Sequence, residues 1–195
     1  MSWERNFAAR YLSLGHPEHI LGSDAVIDAV RQLIRLEGPG ALVVDELRHE
    51  DLEQIGWSGS RSHLRAVAEA LQRVVSGDVE YLAVRAPTGE PVAKGAIDYT
   101  SHDGAGTLWQ LATQPELQSL GLGSYLVREA ERRIRLRGLR WAILGVEDNN
   151  PRARRLYERL GYQAYGREAA SWEQEDERGT VTMYETEVTL LRKHL

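Results

Sequence analysis

Thr107-Leu-Trp-Gln-Leu-Ala-Thr-Gln-Pro-Glu-Leu-Gln-Ser-Leu-Gly-Leu-Gly-Ser124 is the stretch whose reading decides the fold. It opens as an apolar strand, passes through a short turn and ends in a glycine-rich loop that starts a helix. Leu122, Leu126, Val127, Ala130 and Ile134 then recur at helical spacing, and Gly138 supplies a stop. Such a loop offers several backbone N–H groups at the positive end of a helix, where an anion is held. Gly121 and Gly123 carry no Cβ to keep a phosphate at a distance. The spacing Gln118-x-x-Gly121-x-Gly123 lacks the Gly-Lys-Ser/Thr ending of a P-loop and the third glycine of the Rossmann fingerprint.

A second block follows at Trp141-Ala-Ile-Leu-Gly-Val-Glu-Asp-Asn-Asn-Pro-Arg-Ala-Arg-Arg-Leu-Tyr-Glu-Arg-Leu-Gly-Tyr162. It reads as a strand over 140–146 and then a helix, with Asn150 as cap and Pro151 at the first helical position. Ala153, Leu156, Tyr157 and Leu160 share one face, and Gly161 ends the helix. Together the two blocks resemble the GCN5-related N-acetyltransferases (GNAT). That family's acyl-CoA loop runs Gln/Arg-x-x-Gly-x-Gly/Ala after a strand, and its second block ends Leu-Tyr-Glu-x-x-Gly-Phe/Tyr.

The resemblance implies an α/β fold: a mixed sheet flanked by helices, an antiparallel N-terminal meander and then β-α-β-α-β. It implies acetyl-CoA as the acyl donor, with its pyrophosphate on the N–H groups of Ser119, Leu120, Gly121, Leu122, Gly123 and Ser124. Gln118 is expected to fix the loop, and the pantetheine amides to pair with the main chain of Leu111, Ala112 and Thr113. Asn150 stands as a pantetheine contact, a plain helix cap, or both. Tyr157 matches the tyrosine that protonates the departing thiolate, while its bland role is to continue an apolar face. A phenol titrates near about 10 and a thiol near about 8.5, so the phenol holds its proton at neutral pH. Many relatives keep a Glu or His on the strand before the loop, but Thr107–Thr113 has no ionisable side chain. Glu147 and Asp148 are the nearest carboxylates to the motif; Glu147 is the candidate base, acting through a water, and a solvated acidic turn is the other reading. Asp98, Glu173 and His102 are weaker candidates.

The activity so implied is transfer of an acetyl group from acetyl-CoA to a primary amine by direct attack in a ternary complex. The absence of cysteine agrees with this, since no cysteinyl intermediate is possible. The alternatives are transfer of a different acyl group and a non-catalytic module that senses acyl-CoA. The acceptor is expected among the residues of His49–Gly59, the Asp98–Asp103 turn and the final hairpin. Trp57, Trp172 and Tyr184 would form its wall, and the acidic run Glu173, Glu175, Asp176, Glu177 would suit a cation.

Bulk properties narrow the class further. The 195 residues suit one well-packed domain, and a net charge of −5 lacks the basic footprint of a nucleic-acid binder. No segment reaches membrane-span length, no histidines and carboxylates show credible metal-ligand spacing, and no metal is expected. Residues 1–22 show no clear pattern; Glu4, Arg5 and Arg10 do not fit a signal peptide, so a cytoplasmic protein is expected. Val26, Ile27, Val30, Leu33 and Ile34 form the apolar face of a helix stopped by Gly38-Pro39-Gly40. The acetyltransferase domain is expected over 41–195, with 1–40 a helical extension packed on its own domain or on a second copy in a homodimer. A strand over 41–46, a short helix over 49–55 and a longer one over 62–75 lead into strands at 79–85, 92–99 and 107–113. A hairpin over 162–173 and 180–191, turning through Glu177-Arg-Gly179, closes the chain.

Overall fold

The apolar face read in the first helix is the one the fold buries: Val26, Ile27, Val30 and Ile34 of α1 (Ser23–Glu37) enter the main core. The computed structural model describes residues 23–176 and 178–195. Seven strands follow α1: β1 (Val43–Glu46), β2 (Val79–Arg85), β3 (Pro91–Asp98), β4 (Ala105–Thr113), β5 (Trp141–Glu147), β6 (Gln163–Glu175) and β7 (Val181–His194). Three more helices are α2 (Arg61–Gln72), α3 (Leu122–Leu136) and α4 (Pro151–Arg159). The strands make one sheet in the order β1-β2-β3-β4-β5-β7-β6. Every neighbouring pair is antiparallel except β4 with β5, because the chain crosses over through α3 between them.

Helices cover both faces. On one, α1 and α3 pack with Leu82, Val84, Leu108 and Leu144, and Tyr157 of α4 joins the same cluster. On the other, Val67, Ala70 and Leu71 of α2 pack with Val79, Tyr81, Ala83 and Ala96. Strand β3 lies between the two layers and is buried along its whole length.

One irregularity shapes the site. Lys94 faces Ala112 and Ala96 faces Trp109, so Gln110 and Leu111 of β4 stand opposite the single residue Gly95. This is a β-bulge, with Gln110 in the left-handed region at φ 51. A Cβ on Gly95 would run into Leu111 Cδ2, so glycine leaves the bulged side chain where it lies and any larger residue would make it shift. The parallel pairing of β4 with β5 covers only Ala105–Leu108 against Trp141–Leu144. Beyond it, β4 stays on β3 as far as Thr113 and β5 stays on β7 as far as Glu147. The two strands splay.

Several boundaries move. Pro39–Ala41 is a 3-10 turn and β1 starts at Val43, not Ala41. The short helix from His49 is a 3-10 helix and ends at Glu53, two residues before Ile55. Helix α2 ends at Gln72, because the chain turns through Ser76 and Gly77, the latter at φ 78. Val75, read as part of its apolar face, is 92% exposed. Residues 1–22 and Glu177 lie outside the described residues, and with them most of the N-terminal extension and one member of the acidic run.

The packing of α1 yields a direct test. Ile34→Ala should cost about 2–5 kcal/mol in urea unfolding, as for other buried Ile-to-Ala changes. Leu36→Ala, at a 73% exposed position, should stay within about 0.5 kcal/mol. Equal effects would mean that α1 does not dock as described.

Candidate active site

The splay between β4 and β5 opens a cleft of about 840 Å³. Leu111, Ala112 and Thr113 form one wall, and Gln118, Ser119, Gly121, Leu122, Gly123 and Ser124 a second. Asn150 and Tyr157 also line it, as do Arg152, Arg155 and Arg159 of α4. Of the residues expected at the coenzyme, only Leu120 is off the lining; it is half-buried against the main core. Gly121 caps α3 at φ 88, in the left-handed region where glycine is unstrained. Gly123 is different: an added Cβ would meet only Leu156 at 3.4 Å and Thr113 Oγ1 at 3.9 Å, ordinary contacts. Gln118 ties the loop down, donating to the Thr113 carbonyl at 3.4 Å and accepting from Arg152. Arg152 also donates to Ser119 Oγ at 3.0 Å.

Asn150 caps α4, its side chain accepting from Ala153 N–H at 3.0 Å, while its position also lines the cleft. Tyr157 is 8% exposed and packs edge-on to Tyr162, with ring centroids 6.0 Å apart. Burial pushes its phenol up to about 12. It therefore keeps its proton across the neutral range.

The carboxylates named from sequence are occupied. Glu147 accepts from the Tyr184 hydroxyl at 3.1 Å and is not among the residues lining the cleft. Asp148 accepts from Thr189 and pairs with Arg167 at 3.2 Å. Burial raises Asp98, but hydrogen bonds from Arg73 and Thr100 outweigh it and hold the group at about 2. The Asp98–Asp103 turn was expected at the acceptor site. It joins β3 to β4, at the end of β4 opposite Leu111–Thr113, so an antiparallel hairpin carries it away from the cleft. His102 bonds Thr107 at that same far end. The acidic run of the last hairpin does structural work: Glu175 accepts from Ser62 N–H in the first turn of α2, Glu173 pairs with Arg65, and Asp176 holds the turn. Trp172 and Tyr184 pack on each other at 5.1 Å, whereas Trp57 lines the cleft.

Behind the bulge lies a group the sequence reading passed over. The ammonium-bearing end of Lys94 on β3 is fully buried and reaches three acceptors: His63 Nε2 at 2.8 Å, the Tyr81 hydroxyl at 3.0 Å and the Gln110 carbonyl at 3.3 Å. Tyr81 in turn donates to the Gln110 side chain at 2.8 Å. Burial pulls Lys94 down to about 7; burial and then the Lys94 charge pull His63 down to about 4. The signal was a lysine next to a glycine inside an otherwise apolar strand, a pattern that marks a bulge and a buried polar group.

Among the described residues, no group of three or more His, Asp or Glu could hold a metal ion, and no helix is long and apolar enough to cross a membrane. The model of the Acetyltransferase (GNAT) family matches residues 44–162, more than half of the chain. The chain belongs to that family. Solved structures of the same fold include the ribosomal-protein-S18-alanine N-acetyltransferase from Escherichia coli (18% identity, 78% of this chain and 93% of that one, TM-score 0.60). A spermidine N-acetyltransferase from Vibrio cholerae, in complex with CoA and spermine, matches at 16% identity over 80% and 96%, TM-score 0.61. The PaiA N-acetyltransferase from Thermoplasma acidophilum, in complex with coenzyme A, matches at 16% over 79% and 99%, TM-score 0.57.

The buried amine leaves a mark on stability. Its pKa in the fold lies below the ordinary 10.5, so between about 7 and 10.5 the unfolded chain binds more protons. Stability from this group therefore rises with pH across that window and is flat below it. Lys94→Met removes the rise. In urea unfolding, the difference between the two proteins should move in favour of the wild type from about pH 6.5 to about pH 9. A pH-independent difference would place the Lys94 amine at its ordinary value.

Proposed function

We propose that this protein is an N-acetyltransferase that moves the acetyl group of acetyl-CoA to a primary amine by direct attack in a ternary complex. One observation carries the reading: a single cleft combines the unpaired edge of β4 with the glycine-bearing N-terminus of α3. An extended ligand with amides at one end and a pyrophosphate at the other matches both surfaces. The N–H groups from Ser119 to Ser124 and the helix terminus, equivalent to roughly half a positive charge, suit the phosphates. Arg155 and Arg159 add positive charge along the same wall. Leu111–Thr113 offer backbone groups to the pantetheine amides, as an added strand would use them.

The amine must lose a proton before its nitrogen attacks the thioester carbonyl. The tetrahedral intermediate then breaks its C–S bond. Tyr157 gives its proton to the sulfur, and the proton shed by the former amine nitrogen restores the phenol. Because burial raises this phenol, it is protonated whenever the thiolate forms. Thiol release with a panel of amines tests the activity, and spermidine, spermine and an alanine-bearing ribosomal protein head the panel because the names of two fold relatives carry them.

Two substitutions separate the two halves of the site. Gly123→Asp has room to fold and sets a carboxylate against the phosphates; calorimetry should show CoA affinity severely weakened. Unchanged affinity would move the phosphates elsewhere. Tyr157→Phe keeps the ring packing and loses the donor, so kcat should fall about 10²–10⁴-fold with CoA affinity little altered. Wild-type turnover in that variant would make Tyr157 a core residue only.

A further inference from the structure

A lysine with no exposed surface and no carboxylate partner among the described residues is a costly arrangement, since desolvation disfavours its charged form. Here the three partners match the three N–H bonds of an ammonium group, and all three are neutral acceptors. In that state His63 carries its proton on Nδ1. When the amine is neutral, its lone pair instead accepts from His63 Nε2–H, and Nδ1 is left open as an acceptor. The charge of Lys94 and the tautomer of His63 are therefore coupled.

Neither Lys94 nor His63 lines the cleft, but each stands behind a residue that does. Lys94 bonds the carbonyl of Gln110, whose neighbour Leu111 lines the cleft, and His63 follows Ser58, another lining residue, by five positions. His63 is only half-buried, unlike the amine behind it. Ser58 Oγ is buried with no hydrogen-bond partner among the described residues, a polar atom of the cleft lining that a bound amine or its water would satisfy.

We propose that the Lys94–His63 pair accepts the proton that the substrate ammonium loses, entering at His63 Nδ1 and ending on Lys94 Nζ. This rests on the acetyltransferase reading and names its missing base. The step balances as R–NH3⁺ plus Lys–NH2 giving R–NH2 plus Lys–NH3⁺, His63 taking one proton at Nδ1 as it yields another from Nε2. The proton returns to solvent along the same path after product leaves. With Lys94 near 7, the pair is competent as the pH rises through neutrality, and His63, whose charged form burial disfavours, carries the proton without keeping it. The other titratable and charged groups around it are the Tyr81 phenol on β2, which burial keeps protonated, Arg65 on α2, and Glu173 and Glu175 on β6. Arg65 and Glu173 pair with each other, and Glu175 is held by Ser62 N–H.

The test uses the full chain, acetyl-CoA and two acceptors: the best alkylamine from thiol release, and hydroxylamine, already neutral at pH 7. Wild-type kcat/KM for the alkylamine should rise through an apparent pKa near that of Lys94. Lys94→Met and His63→Gln should lose about 10²–10⁴-fold on the alkylamine at pH 7 and little on hydroxylamine. Equal losses on both acceptors would show a structural role and overturn the relay, as would loss of the pH limb in Glu147→Gln with the limb intact in Lys94→Met. A readout free of turnover runs beside it. The chain has only two lysines, Lys94 and Lys193, so [13Cε]lysine NMR resolves each. The Lys94 signal should titrate near neutrality and shift its midpoint in His63→Gln. A Lys94 that stays charged beyond pH 9 while turnover is intact overturns the relay alone. No thiol release with any amine, although CoA binds, overturns the acetyltransferase reading and the relay with it.

Discussion

The contact between Gly95 and Leu111 is the constraint on which the rest of the site depends. Leu111 Cδ2 occupies the space where any other residue at 95 would hold its Cβ. That vacancy lets β4 take two residues against one of β3, with Gln110 in a left-handed conformation. A bulge bends its strand and adds twist. The parallel ladder to β5 stops two residues earlier, at Leu108, and everything beyond it is an open strand edge. The cleft exists because the sheet is interrupted there, and the interruption is stable because both flanking strands keep a partner on the other side.

The interruption also divides labour between the two faces of the sheet. On the face of α3 and α4, backbone N–H groups, three arginines and Tyr157 gather around the cleft. On the face of α2, Lys94, Tyr81 and Gln110 build a polar network inside an apolar layer, with His63 at its outer edge. Partly satisfied buried networks are destabilising, and this one is satisfied by donors and acceptors that interlock around the bulged residue. The same bonds that hold Gln110 in its unusual backbone conformation hold the amine whose charge is hardest to keep in the fold.

What the sequence made legible was local chemistry. The glycine loop, the Asn150 cap and the tyrosine on the α4 face each depend on residues within a turn or two of one another, and the structure has them where spacing put them. The bulge depends on register: Gly95 and Leu111 are sixteen positions apart and meet only once β3 and β4 pair. Likewise His63 and Lys94 come from different elements on one face, and neither carries a pattern of its own. The partners of the charges were hidden for a related reason. Glu173 and Asp176 are solvated, as one reading of the acidic run has them, yet Glu173 and Glu175 also reach back to α2 across more than a hundred residues. Boundaries failed where backbone geometry outweighed hydrophobic pattern, as at Val75, whose side chain is turned to solvent by the chain reversal at Gly77.

The central claim is that the edge freed by the bulge, together with the loop before α3, receives an acyl-CoA. Residue-resolved amide hydrogen exchange on the full chain, with and without saturating CoA, tests it most directly. Protection should appear at the amides of Leu111–Thr113 and Ser119–Ser124 and leave those of the β1–β2 ladder unchanged. CoA binding that leaves both segments exchanging as in the free protein would contradict it.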